Sequence, residues 1–554
     1  MACISCRRKK VKCLPGSGGR DACSLCAKLK IECFIPQVDE RRQSTPKRLV
    51  RDLCAQIAQL QAELDTHKQY CLMGPEQGDS CSAQDEILSP ASESGKSDGS
   101  KSSNSDNMIV RLCGGQRQLN SDRVGRLRFF GPTSSLHLAE SVTSSVLIRE
   151  SNGTRSQLQW QDEFPLDLQQ HLFNLFWTYQ HQVLPIIHKE AFLRDMNNGH
   201  TKYCSRLLVY CILTRAAAIS DQPGLRALAL SDDADDDPPF LVRKCVSYLD
   251  IELNNPGITT CQALQLLSEM HCAISNDTKG WMYAGGAGRL AYELGLHSDS
   301  TGLSTSLNKV DLEVRQLVFW SCFNLDRQWA LYLGRPQCIK LEDVSVKRPG
   351  DGLSDLPSEE TKIAVAWTSL LEIVGLICDN LNGVKTIRRE ITTLDQRLRS
   401  WPSSLDPSFQ YNPHQSPAVI ILHMQYAAAL ILLHRPVAHF GTDSDSTAHT
   451  SASETSRQIC VHNACLIAQY LQEYYEKHGS VLTMSWVALH IIATASTTLV
   501  ANIAERKGSI DFKSQLSCLQ TCMRSLNELE KSHVVTRRVR KVIQHAIRLL
   551  DLDS

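Results

Sequence analysis

MACISCRRKKVKCLPGSGGRDACSLCAKLKIECFIP, residues 1–36, sets six cysteines in the order Cys3-x2-Cys6-x6-Cys13-x9-Cys23-x2-Cys26-x6-Cys33, with no histidine among them. The two C-x2-C-x6-C halves repeat one another, and each predicts a short helix followed by a strand-like turn. Zinc held by thiolates takes four tetrahedral ligands, so two ions need eight ligand positions, and six cysteines supply them only if two of the thiolates bridge. A RING or a pair of zinc ribbons would need two further ligands. A disulfide framework would need an oxidising compartment. The opening MACISCRRKK has no apolar core of a secretory signal, so the expected setting is cytosolic or nuclear, where clustered cysteines hold metal more often than they pair.

Outward from this stretch, the charge balance divides the chain. The 554 residues carry 59 Lys+Arg against 59 Asp+Glu, a net of zero. Residues 1–50 hold 12 Lys+Arg and 4 Asp+Glu, a net of +8, which leaves −8 on the remainder. Six thiolates and two Zn²⁺ would lower the basic end to +6, still enough to attract phosphate. Neutrality is thus the sum of a basic head and an acidic body. The apolar fraction of 42% excludes a wholly disordered chain, and a charged fraction of 21% excludes a polycation or a long coiled coil. The sixteen cysteines beyond residue 33 are scattered.

Residues 37–47 form a polar joint. From Arg48 a pattern of threes and fours begins, with Val50, Leu53, Ile57, Leu60 and Leu64 in register to about Cys71. β-Branched Val50 and Ile57 at a, with Leu53 and Leu60 at d, favour a short parallel two-stranded coil over residues 48–71. The competing reading is one amphipathic helix packed on the rest of the chain. Residues 72–125 are dominated by Ser, Gly, Asp and Asn, including SPASESGKSDGSKSSNSD from Ser89 to Asp106. That composition buries too little apolar surface to offset chain entropy and predicts a disordered linker.

From about residue 126 to 554, apolar-periodic segments recur: Leu168–Tyr179, Tyr203–Ile219, Thr260–Ala273, Trp281–Gly295, Leu312–Leu333, Ile363–Leu381, Pro417–His434, Cys460–Glu476, Leu482–Ala504 and Leu516–Leu550. Thr259 and Thr260 are candidate N-caps and Gly295 a candidate stop, and few stretches alternate with period two. The fold class expected is mainly α, a large helical domain with polar inserts at Ser231–Pro239 and Gly441–Thr455. No run reaches 18 uninterrupted apolar residues; the nearest, Ala418–Leu433, contains His423 and Gln425, so no membrane span is expected.

The cysteine segment resembles the zinc binuclear cluster (Zn2Cys6) DNA-binding domain of fungal transcription factors. The resemblance implies that Cys3 and Cys23 bridge two Zn²⁺ ions, with Cys6 and Cys13 completing one and Cys26 and Cys33 the other. It also implies a short helix over Arg7-Arg8-Lys9-Lys10-Val11-Lys12, in which Lys9 and Lys10 read a CGG-type triplet in the major groove of double-stranded DNA. A lysine ammonium aimed at guanine O6 and N7 is suited to that role. Arg7, Arg8, Lys12, Lys28 and Lys30 are then phosphate contacts, which position the module without specifying sequence. CRRKKVKC is also readable as a solvated charge run or a nuclear import signal. The loop LPGSGGRDA departs from the family pattern, with Pro15 early and Asp21 next to Ala22.

Residues 128–440 are similar to the middle homology region of the same family. The matching stretches are Arg128-Phe129-Phe130-Gly131, Leu184-Pro185-Ile186-Ile187-His188, Gly280-Trp281-Met282-Tyr283-Ala284 through Leu294-Gly295-Leu296-His297, Leu325-Asp326-Arg327, Leu333-Gly334-Arg335-Pro336 and Leu432-Leu433-His434-Arg435-Pro436. The ordered set implies a homodimeric nuclear regulator of RNA polymerase II transcription that contacts transcription machinery or co-regulators. Its implied target is a pathway-specific gene set, such as one for secondary metabolism. A repressor or co-regulator acting through protein contacts is the alternative.

Physically, Trp281, Ala284, Gly285, Gly288 and Ala291 at helical spacing predict close approach of a second helix. Asp326, Arg327 and Arg335 predict a half-buried charge network. His188, His297 and His434 read as satisfied core or capping groups. Gly286-Ala287-Gly288-Arg289-Leu290-Ala291 fits G-x-G-x-x-A but follows no strand, so it is not a dinucleotide fingerprint. G-x-S-x-G, a Walker lysine and H-E-x-x-H are all missing, and no enzyme is expected. Cys460, Cys465, Cys518 and Cys522 read as small buried apolar groups.

Overall fold

The computed structural model describes residues 23, 26, 28, 118–121, 127–130, 164–231, 237–300, 307–351, 358–383, 391–412, 415–440, 451–506, 510–550 and 552. The chain divides into two units, Met1–Ser100 and Lys101–Ser554. The second unit is mainly helical, as its periodicity requires.

Two strands, β1 (Gln118–Ser121) and β2 (Leu127–Phe130), pair antiparallel with Leu119 opposite Phe129. They are followed by α1 (Leu166–Leu175), a π-helical turn (Phe176–Gln180), α2 (Lys189–Asn198), α3 (Arg206–Ala218), α4 (Pro223–Arg226), α5 (Phe240–Glu252), α6 (Ile258–Ala273), α7 (Asp277–Glu293) and α8 (Lys309–Leu333). The remainder is α9 (Glu359–Asn382), α10 (Ile391–Ser400), α11 (Pro417–His434), α12 (Ser451–His478), α13 (Val487–Glu505), α14 (Phe512–Leu529) and α15 (Thr536–Leu549).

These helices pack around two apolar cores. One gathers Phe176, Phe192, Leu207, Ile212, Leu266, Phe319 and Phe323 from α1 to α8. The other gathers Trp329, Trp367, Leu371, Ile421, Ile431, Leu471, Ile492 and Leu526 from the end of α8 onward. Helix α8 serves both: its 25 residues rise about 37 Å, so Val314–Phe323 face one core and Leu325–Leu331 the other. Its start is fixed by a capping box in which Asn308 and Asp311 exchange side-chain-to-backbone hydrogen bonds of 2.9 and 3.2 Å.

Helices α9, α11 and α13 are long and apolar enough to cross a membrane by length and composition, yet 67%, 94% and 72% of their most apolar windows are buried inside the protein. A helix that is apolar all round belongs to a core when other helices surround it. His423 is accommodated there by a 2.9 Å hydrogen bond between its Nε2 and the Phe409 carbonyl oxygen.

Several sequence expectations change. Leu516–Leu550 is two helices, because Ser532 and His533 are buried at the turn and Val535 N–H donates to the Ala273 carbonyl at the end of α6. No Gly or Pro marks that break, so periodicity ran through it. The Thr259–Thr260 capping site shifts to Gly257, with Thr260 Oγ1 accepting from Gly257 N–H at 3.0 Å. The Gly295 stop stands, in the left-handed conformation at φ +65°. Strand β1 lies within the stretch expected as linker, and α12 begins at Ser451, inside the expected insert ending at Thr455.

Candidate nucleic-acid interface

Three residues of the cysteine segment are described. Cys23 and Cys26 are 4% and 0% exposed, neither is in a disulfide, and Cys26 and Lys28 are helical, with Lys28 exposed. Two buried thiols three positions apart, beside a lysine turned outward, are a donor set that suits a thiophilic ion such as Zn²⁺. The other expected ligands, Cys3, Cys6, Cys13 and Cys33, lie outside the described residues. So do Arg7, Arg8, Lys9, Lys10, Lys12 and Lys30, and the dimer positions Val50, Leu53, Ile57, Leu60 and Leu64. Among the described residues, no group of three or more His, Cys, Asp or Glu could hold a metal ion.

In the helical unit, the β1–β2 hairpin is seated on the end of α7. Arg128 donates to Glu293 at 2.8 Å and to the Pro256 carbonyl at 2.9 Å. The Phe129 ring meets His297 edge-on at 4.5 Å. A Cβ added at Gly295 would stand 2.4 Å from a Leu119 methyl, so this glycine serves both the helix stop and the hairpin's seat. Arg128 and Phe129 are therefore packing residues.

The small-residue stripe of α7 is corrected. Its closest approach is at Gly280, where a Cβ would lie 2.8 Å from both the Ser268 carbonyl of α6 and the Trp329 ring of α8. At Gly285, Gly286 and Gly288 the nearest atoms are 3.5 to 3.8 Å away, ordinary contact. The G-x-G-x-x-A match sits inside α7 with no strand leading into it.

Asp326 does organise a charge cluster. It pairs with Arg327 at 2.9 Å and accepts the backbone N–H groups of Cys338 and Ile339 at 2.9 and 3.0 Å. Arg327 also lies 3.6 Å over the Phe323 ring. Arg335 stands apart from that cluster, stacked 4.4 Å over Trp281. Two of the three histidines are satisfied as expected, His188 and His434, whereas the His297 ring packs against Phe129 and Tyr292. His188 Nδ1 accepts Ala191 N–H at the start of α2. His434 bridges Asp395 at 3.0 Å and Ser456 at 3.3 Å.

Sequence reasoning missed a buried ion pair between the cores. Arg215 on α3 and Glu269 on α6 are 1% and 5% exposed and approach to 3.6 Å. Arg215 also donates to Gln180 at 2.8 Å, and Gln180 in turn to the Thr483 carbonyl at 2.9 Å. Burial raises the Glu269 carboxyl, against the pull of Arg215 and a hydrogen bond with Trp486. The available signal was Glu269, the one acidic residue of α6, and Arg215 within the apolar run of α3, whose other charge, Arg206, opens the helix. The cysteine reading also divides: Cys460 and Cys522 are fully buried, while Cys465 and Cys518 are partly buried and pack against the same core.

Comparison with known families adds to this geometry. Residues 1–42 match the fungal Zn(2)-Cys(6) binuclear cluster domain, and residues 173–369 match the fungal specific transcription factor domain. The chain is 26% identical to the nitrogen assimilation transcription factor nirA of Emericella nidulans, over 100% of this chain and 65% of that protein. It is 26% identical to the nitrogen assimilation transcription factor nit-4 of Neurospora crassa, over 98% and 54%. It is 25% identical to the activatory protein CHA4 of Saccharomyces cerevisiae, over 66% and 57%. The chain thus spans between half and two thirds of these relatives' lengths.

With the cluster-domain match ahead of the match to the fungal specific transcription factor domain, the chain carries both parts of the family that its sequence resembles. Its cluster domain is one that binds two zinc ions. The family and these relatives are regulators of transcription, not enzymes.

Proposed function

We propose that this protein is a sequence-specific DNA-binding regulator of RNA polymerase II transcription that acts in the nucleus. The observation that carries the reading is the six-cysteine spacing with a basic hexapeptide between its second and third ligands, in a segment that matches the binuclear cluster domain. Cys3, Cys6, Cys13, Cys23, Cys26 and Cys33 would hold the two ions, with Cys3 and Cys23 shared. The ions supply cross-links in place of an apolar core, which a 36-residue segment is too short to build.

On that frame, Lys9 and Lys10 donate to guanine O6 and N7 of a CGG-type triplet. Arg7, Arg8, Lys12, Lys28 and Lys30 neutralise phosphates. Pairing through Val50, Leu53, Ile57, Leu60 and Leu64 would bring two clusters to two half-sites, with the spacing set by residues 34–49. The names of nirA and nit-4 favour a nitrogen-related gene set; the specialised biosynthetic set expected earlier draws no such support.

Selection of bound duplexes from random DNA by the full chain tests the reading. Recovered sequences should carry two CGG-type triplets at one fixed separation. Recovery of no motif, with retention of a protein partner instead, would favour a co-regulator that works through protein contacts.

A further inference from the structure

Helix α15 is the charge outlier of the helical body. Of its 14 residues, TRRVRKVIQHAIRL, five are Arg or Lys and none is Asp or Glu, on a chain whose residues beyond 50 carry a net −8. Its inner face is settled: Ile543 is buried, and Val539, Ala546 and Ile547 pack against the second core. The outer face presents Arg538, Lys541, Val542, His545, Arg548 and Leu549, all exposed, with Val542 at 65% and Leu549 at 72%. Spacings of three and four gather these six into one stripe. Val542 and Leu549, seven apart, share one edge of it, and Lys541 and Arg548, also seven apart, share the other.

The cations of the helix differ in what holds them. Arg537 and Arg540 share Glu530 at 2.6 and 2.9 Å, and Arg538 reaches Asp277 at 3.0 Å. These pairs fasten the start of α15 to the body. Lys541 and Arg548 have no carboxylate at ion-pair distance among the described residues, so their charge is directed outward, beside two apolar side chains that are also without cover.

We propose that this stripe docks an acidic amphipathic helix of a partner protein, whose carboxylates meet Lys541 and Arg548 and whose apolar side chains cover Val542 and Leu549. Charge complementarity selects this occupant. DNA phosphates would answer the basic edge but give Val542 and Leu549 nothing apolar to touch. A membrane surface needs a broad apolar face in the lipid, whereas α15 commits Val539, Ile543 and Ile547 to the core and leaves few apolar side chains outside. A second copy of this chain, paired about a two-fold axis, would set Lys541 and Arg548 against their own kind.

The mode of recognition is one helix laid along another, read through anchors at i and i+7. A contact of about two turns is small, so the complex is weak and readily reversed. The basic edge speeds encounter and rejects basic partners, and the apolar edge supplies what salt does not screen. None of this depends on what the cysteine segment binds.

The test selects from a phage-displayed library of helical peptides with the full-length, zinc-loaded protein. The library is first depleted on the Lys541→Glu/Arg548→Glu variant, which removes peptides held by the basic cysteine segment. The four positions changed across the two variants are exposed, so both keep the fold, as circular dichroism verifies. Recovered peptides should be net acidic with apolar residues at helical spacing. Fluorescence anisotropy should find them bound ~10-fold more weakly by Lys541→Glu/Arg548→Glu and ~5-fold more weakly by Val542→Ser/Leu549→Ser. Exchanging a peptide's glutamates for lysines should abolish binding to the unaltered chain and restore it to the charge-reversed variant, a rescue that loss of structure does not produce. Recovery of no acidic peptide, or equal binding by the unaltered chain and both variants, would overturn the proposal. So would stripe-dependent binding of phosphatidylserine vesicles or duplex DNA that is tighter than binding of the peptides.

Discussion

In residues 1–36 one position in six is a cysteine, whereas in the helical body the positions that matter are tryptophans, leucines and one buried ion pair. The first region declares its chemistry through spacing, because a tetrahedral ion accepts few ligand arrangements. The second declares its secondary structure through periodicity but not its role, because the same apolar pattern serves any helical scaffold. The contrast teaches that a short metal-dependent module and a large packed body should fail independently and under different insults.

The largest effect separates them most sharply. Replacing Cys26 with Ser, or removing zinc, should abolish DNA binding, since apparent metal-binding free energies of such small modules are on the order of 10–16 kcal/mol. The helical circular dichroism of the body should persist; its loss along with the zinc would break the contrast. In the opposite direction, Glu269→Ala leaves Arg215 buried without its carboxylate and should destabilise the body by about 3–5 kcal/mol. Trp329→Ala, at a residue 1% exposed, should do so by a similar ~3–5 kcal/mol. Zinc content, measured by mass spectrometry, should stay at two ions per chain in both.

Acid should act on the body in a specific window. Burial lowers His181 to about 4 and His533 to about 3, from an ordinary value of 6.5. Each is neutral when folded, and between those values and 6.5 the unfolded chain binds more protons. Their contribution is therefore intact above pH 6.5 and is lost as pH falls toward the folded pKa, about 2 kcal/mol for each residue by pH 5. Urea midpoints of the body should drop across that range, and His533→Gln should flatten the dependence.

The smallest effects lie within the DNA-binding segment. Lys10→Ala should cost about 1–3 kcal/mol on the preferred triplet and relax base choice there, with zinc retained. Arg8→Ala should weaken all sequences alike and shallow the salt dependence. Competition binding with mutated triplets distinguishes the two.

Much of this organisation was readable from residues alone. Pro417–His434 was placed to the residue, because Pro at the first helical position and an unbroken apolar run leave little choice. Helices α2, α4, α5 and α10 were not anticipated; they are short or carry polar faces, so their apolar positions are too few to show a period. The hairpin at Gln118–Phe130 escaped because four-residue strands give barely two alternations, and because its order comes from docking on Gly295 and Glu293. Gly280 was overlooked in favour of Gly285 and Gly288, since spacing alone does not say which face of α7 meets Trp329. The Arg215–Glu269 pair joins residues 54 positions apart on different helices, a proximity no local pattern encodes. The cluster domain matched over residues 1–42, by contrast, was legible as a cysteine spacing, because a metal rather than a surrounding fold would dictate it.

Zinc-dependent DNA binding by the full chain is the most direct test of how the two regions divide the work. Fluorescence anisotropy with a duplex bearing two CGG-type triplets should show binding that EDTA abolishes and that two equivalents of Zn²⁺ per chain restore, while the helical signal stays constant throughout. Binding that survives complete removal of zinc would contradict it.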